Sequence, residues 1–167
     1  MTVREILLLG NPRLYDVSKE VHESEIDSVK QIVADLHDTM MAFRAKYGVG
    51  RAIAAPQIGA LKRIIYMNID RPVIFVNPVL KDLSTEMIEV WDDCMCFPDL
   101  LVKVKRHRSC TIEYRDETWT MNSLVLKDDL SELLQHEYDH LEGILAVSRA
   151  INGKSYAYKD QKSRWYD

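Results

Sequence analysis

Between Ser24 and Tyr47 the apolar positions Ile26, Val29, Ile32, Val33, Leu36, Met40, Met41 and Phe43 recur at steps of three and four. That period gathers them on one face of an α-helix. Ser24 stands where a cap is expected, with Asp27 three positions on, and Gly48 and Gly50 end the pattern. The middle of the chain changes period. Arg63 to Met67, Val73 to Val76, Met87 to Val90, Leu101 to Val104, Thr111 to Tyr114 and Thr118 to Leu126 are short runs rich in β-formers. Alternation through Leu100 to Arg108 predicts a strand with one face in solvent.

A second helix fits Asp129 to Glu142, with Asp128 or Asp129 as cap and Gly143 as stop. On its wheel Leu130, Leu133, Leu134 and Leu141 form an apolar stripe, while Glu132, Gln135, Asp139 and Glu142 take the opposite side. Glu137 falls inside the stripe, and His136 and His140 sit at its edge. The remaining chain is polar. It is either disordered or packs through Tyr156, Tyr158, Trp165 and Tyr166. One helix, a run of mostly antiparallel strands and a second helix make an α+β domain. It spans residues 1–150, and 151–167 form its polar tail.

Composition narrows the classes. A chain of 167 residues with 47% apolar and 29% charged residues suits one globular domain. A net charge of −4 argues against a dedicated nucleic-acid binder. No apolar run reaches the ~18 residues of a membrane span, and Ile6 to Leu9 is too short for a signal-peptide core. The odd set Cys94, Cys96 and Cys110 reads as reduced thiols in the cytoplasm.

The chemistry begins at HEYDH, His136 to His140. Two histidines four apart lie within about 40° on a helix and can converge on one metal ion. A surface helix that happens to carry two histidines has the same spacing. Glu137 argues for the metal, because a carboxylate on an apolar face is costly unless paired or metal-linked. A catalytic site needs a third ligand. Downstream of His140 there is no histidine, and Glu142 points the wrong way. Upstream, WDDCMCFP (Trp91 to Pro98) offers thiolates, which are strong ligands for Zn²⁺ or Fe²⁺.

With these residues in place the sequence resembles the peptide deformylases. Their HExDH motif stands in QHEYDHLEG (Gln135 to Gly143), their GxGxAAPQ in GRAIAAPQIG (Gly50 to Gly59), and their EGCLS in DDCMC (Asp92 to Cys96). The resemblance covers residues 5–145. It implies an α+β fold in which antiparallel sheets wrap the metal-bearing HExxH helix. It also implies one divalent ion, commonly Fe²⁺ and replaceable by Zn²⁺ or Ni²⁺, held by Cys94, His136 and His140. The implied reaction is removal of the N-formyl group from formyl-methionyl peptides. Glu137 would serve as general base and acid, and Gln57 and the Met95 backbone N–H as oxyanion donors. Gly50, Ala52, Ile53 and Asp93 would line the substrate groove, and Asp92 with Arg106 would form a supporting ion pair. The family's long C-terminal helix, associated with ribosome contact, has no counterpart in the 24 residues after Gly143. Any ribosome contact would be transient and by another route.

Three positions depart from the family pattern. Asp93 replaces the glycine before the ligand cysteine, Cys96 replaces the motif serine, and Ala52 replaces the second glycine of the first motif. Asp93 puts a carboxylate beside the expected groove. Cys96 is either a packed small side chain or a second thiol near the metal; Cys110 is expected in the core. The alternatives are a related hydrolase acting on another formamide or small amide, and a metal-binding module without turnover.

Overall fold

The computed structural model describes residues 1–164. Its helices are α1 (Ile26–Tyr47), α2 (Asp128–Leu141) and the four-residue α3 (Lys159–Lys162). The strands are β1 (Ala52–Ala54), β2 (Ile64–Asn68), β3 (Pro72–Lys81), β4 (Met87–Asp92), β5 (Leu100–His107), β6 (Ser109–Arg115), β7 (Met121–Lys127) and β8 (Tyr156–Tyr158). One sheet has the order β1-β2-β3-β6-β7 and the other β4-β5-β8, all with antiparallel neighbours. Helix α2 packs against strands of both.

The short strand β1 explains much of this arrangement. Successive side chains of a strand point to opposite faces. Ala52 and Ala54 turn toward α2, in a cluster with Ile65, Phe75, Leu133, Leu134 and Leu141. Ile53 turns the other way, onto Val29, Leu36 and Met40 of α1. This edge of the sheet is therefore covered on both faces, and the alanines let α2 approach closely. A third cluster joins Cys94, Cys96 and Phe97 to Leu14, Val102, Val104 and Leu145.

Several elements differ from the sequence expectation. Ser24 does not cap α1; it lies within a 3-10 turn, Glu23–Glu25, whose Glu25 carboxylate accepts from the His22 N–H at 2.9 Å. Residues Thr118 to Thr120 are not strand. The Asp116 carboxylate captures the backbone N–H groups of Thr118 and Thr120 and holds a turn before β7. Gln135 and Asp139 do not face solvent, and both are buried. Because α2 is enclosed on more than one side, its polar stripe is met by β5 and the segment after it. Gln135 brackets the His107 backbone, accepting from its N–H and donating to its carbonyl. Leu130, placed in the apolar stripe, is instead exposed at the outer end.

The segment 156–158 is ordered as strand β8 on β5. It packs through Ala157, while Tyr156 and Tyr158 are exposed. Trp165 and Tyr166 lie outside the described residues.

Candidate metal centre

Helix α2 delivers His136 and His140 from one face, both buried, with ring centroids 5.1 Å apart. Cys94 arrives from the connection between β4 and β5, in a turn closed by Phe97 N–H donating to the Cys94 carbonyl at 3.1 Å. One ligand atom from each of the three lies within 4.8 Å of the others, and Cys94 Sγ is 3.3 Å from His140 Nε2. A tetrahedral ion bound by one thiolate and two imidazoles sets its ligand atoms ~3.5 Å apart. The donor set is the soft-plus-imidazole kind that suits zinc or iron. The residues fit a divalent ion.

The surroundings are polarised for that purpose. His136 Nδ1 donates to Asp92 Oδ2 at 2.9 Å, which turns Nε2 toward the centre. Arg106 binds the same carboxylate at 2.9 Å and Asp139 at 2.6 Å, and Arg149 grips Asp139 from the other side. Burial alone would raise Asp92, yet His136 and Arg106 outweigh it and hold the carboxyl at about 2. Burial likewise opposes charge on His136, but Asp92 prevails and lifts it to about 9. Burial pushes His140 well below the usual histidine range, so its imidazole is neutral. Glu137 lies at about 7, raised by burial with His136 opposing. Its Oε2 is buried with no hydrogen-bond partner among the described residues. A buried carboxylate oxygen left in that state is costly, which fits an atom kept for a ligand.

Gln57 sits in the 3-10 turn Ala55–Ile58 directly after β1. Its Oε1 accepts the Ala54 N–H at 2.8 Å, so the amide NH₂ faces the centre, 3.6 Å from Cys94 Sγ and 3.5 Å from Cys96 Sγ. A cavity of about 490 Å³ opens beside these groups. The side chains or backbone of Gly50, Ala52, Gln57, Asp92, Asp93, Cys94, Met95, His136 and Glu137 line it. Gly50 has φ +137°, and a Cβ there would stand 3.3 Å from the Met95 side chain, so glycine both permits the bend and makes room.

The sequence model described as Polypeptide deformylase matches residues 3–156. The chain belongs to the polypeptide deformylase family. It is 33% identical over 174 residues to a peptide deformylase of Leptospira biflexa, covering 96% of this chain and 94% of that one. It is 36% identical over 153 residues to one of Pelagibacter ubique, covering 88% and 86%. A solved peptide deformylase from Legionella pneumophila superposes with a TM-score of 0.81 at 30% identity, over 89% of this chain and 86% of that one. These matches support deformylase activity, and the family implies a divalent metal. No helix among the described residues is long and apolar enough to cross a membrane.

Within this deformylase fold, one sequence expectation changes and two are sharpened. Ile53 does not line the groove: strand alternation turns it away from Ala52, and it is fully buried against α1. Asp93 lines the cavity, and Lys159 of α3 reaches back to its carboxylate at 3.4 Å. Cys96 is buried among apolar side chains and lies outside the three-donor group, though it shares the Gln57 amide with Cys94. Sequence reasoning also missed Arg51, Glu132 and Lys159, which line the same cavity. Glu132 precedes His136 by four residues, a spacing that places both on one helical face.

Proposed function

We propose that Cys94, His136 and His140 hold one divalent ion, Fe²⁺ in the cell with Zn²⁺ or Ni²⁺ as substitutes, and that the site hydrolyses N-formyl-methionyl termini of nascent peptides. The observation that carries this reading is the convergence of three buried donors beside a buried, unpartnered carboxylate oxygen. A bound ion would acidify a water and polarise the formyl carbonyl. Glu137 takes the proton from the attacking water as the new C–O bond forms. It returns that proton to the amine nitrogen as the C–N bond breaks, releasing formate and a free N-terminus. The Gln57 amide and the Met95 backbone N–H donate to the oxygen that becomes negative. Strand β1 ends its sheet, so Gly50 and Ala52 offer backbone against which an extended peptide can pair.

A substrate of this kind places the enzyme in the cytoplasm. Any contact with the ribosome would be transient and would not run through α3, which has four residues. The test is hydrolysis of a formyl-Met-Ala peptide by Fe²⁺- or Ni²⁺-loaded protein prepared without oxygen, because an iron–thiolate site oxidises readily. Release of formate is the expected result. Metal-loaded protein that releases none overturns the proposal.

A further inference from the structure

The cavity beside the metal centre carries an ion pair on its wall. Glu132, on α2, is 14% exposed at its side chain and accepts from Arg51 Nη2 at 3.0 Å. Arg51 stands between Gly50 and Ala52, where the chain enters β1. The partners are 81 positions apart in sequence, so only the fold joins them. Both line the cavity that also exposes His136 and Glu137.

Position gives this pair a role in selection. A formamide reacting beside Glu137 carries, on its nitrogen, the α-carbon of the first residue. The side chain of that residue must lodge close to the reacting carbon. Glu132 lies one helical turn, ~5–6 Å, from His136 along the same face, with Leu133 next to it in the lining. A thioether placed there would desolvate part of an ion pair and give no strong hydrogen bond in return. A carboxamide of similar length offers N–H to Glu132 and C=O to Arg51.

We propose that Arg51 and Glu132 are specificity-determining residues that shift this deformylase toward formylated termini with a linear polar side chain, formyl-glutaminyl being the matched probe. The proposal rests on the deformylase reading and names the side-chain class that its cavity selects.

The decisive variant is Arg51→Leu with Glu132→Leu. Removing both partners together leaves no half-buried charge unpaired. The readout is the ratio of kcat/KM for formyl-Met-Ala-Ser to that for formyl-Gln-Ala-Ser. The double variant should raise that ratio about tenfold or more, the scale on which one pocket interaction discriminates between substrates. A ratio unchanged within about twofold overturns the proposal. Arg51→Gln with Glu132→Gln, which keeps polarity and removes charge, should stay near the wild-type ratio. A second measurement needs no turnover: calorimetric binding of both peptides to Glu137→Gln protein, with and without the double leucine change. The intact pair should bind the glutaminyl peptide at least as tightly, and the leucine pair should favour the methionyl peptide about tenfold. Equal preference in the two backgrounds overturns it. If metal-loaded wild type releases no formate from formyl-Met-Ala-Ser, the formyl-methionyl reading fails, while the binding ratio still decides what the pair does.

Discussion

Asp92 Oδ2 accepts from His136 Nδ1 at 2.9 Å and from Arg106 Nη2 at the same distance. One carboxylate thus fixes the orientation of a ligand imidazole and is itself fixed by a buried guanidinium. Arg106 continues to Asp139, next to His140, and Asp139 continues to Arg149. His136 is braced from behind by this chain of alternating charges, whereas His140 Nδ1 has no hydrogen-bond partner among the described residues. Partners of this kind set ligand orientation and basicity, and their loss costs ~10–100-fold in metal affinity. Asp92→Ala should therefore weaken metal binding by about that factor in competition with a chelator of known affinity. Asp92→Glu, which restores the carboxylate in the form the family motif carries, should recover most of it. Equal affinity in wild type and Asp92→Ala would sink the bracing role.

Glu137 and the donors are separable in the same way. Glu137→Gln keeps the size of the side chain and removes the base. Metal stoichiometry should remain near that of the wild type, while kcat on a formyl-Met peptide falls by ~10²–10⁴, the range for a positioned general base. Cys94→Ala should instead lose the metal. If Glu137→Gln retains wild-type kcat, the proton-transfer assignment is wrong.

These residues differ in how far the sequence reveals them. His136 and His140 are legible because a four-residue step on a helix fixes their common face without any tertiary information. Cys94 is legible only through motif order, since nothing local ties a loop thiol to a helix 42 positions away. Ile53 is misplaced by sequence reasoning because β1 is only three residues long and buried on both faces, so its apolar run carries no sign of which side meets the groove. Gln135 and Asp139 read as solvent-facing because their partners are the His107 backbone, Arg106 and Arg149. Long-range pairing of polar groups leaves no periodic trace. Strand β8 is equally hidden: Tyr-Ala-Tyr reads as aromatic packing, yet the small central residue is the one that packs.

Gly143 ends α2 at φ +70°, and a Cβ there would meet the Tyr15 carbonyl oxygen at 2.4 Å. Both the backbone conformation and the space demand glycine. The neighbour is main chain and cannot swing aside. Gly143→Ala should destabilise the fold by on the order of 2 kcal/mol or more. Urea unfolding of the metal-free protein measures this. A loss under about 0.5 kcal/mol, the range of an ordinary surface change, would show that the contact relaxes freely.

Asp116 predicts a pH-dependent part of stability. Its carboxylate accepts from Thr118 N at 2.9 Å, Thr118 Oγ1 at 2.7 Å, Thr120 N at 3.0 Å and Asn122 Nδ2 at 3.0 Å. Slight burial opposes ionisation, but these donors outweigh it and hold the group below its usual 3.8. A carboxyl depressed in the folded state is stabilising when ionised. Its contribution is complete above the unfolded value and is lost as pH falls through the folded one. Asp116→Ala removes the acceptor from the turn joining β6 to β7, so at pH 7 it should cost about 1 kcal/mol. Because Asp116 is partly exposed, its charge interactions are screened and the cost stays small. The difference between wild type and Asp116→Ala should then shrink as the pH drops below about 4. Urea titrations of both metal-free proteins between neutral pH and ~3 test the sign, and a difference that stays constant across that window would show that the turn does not depend on the ionised carboxylate.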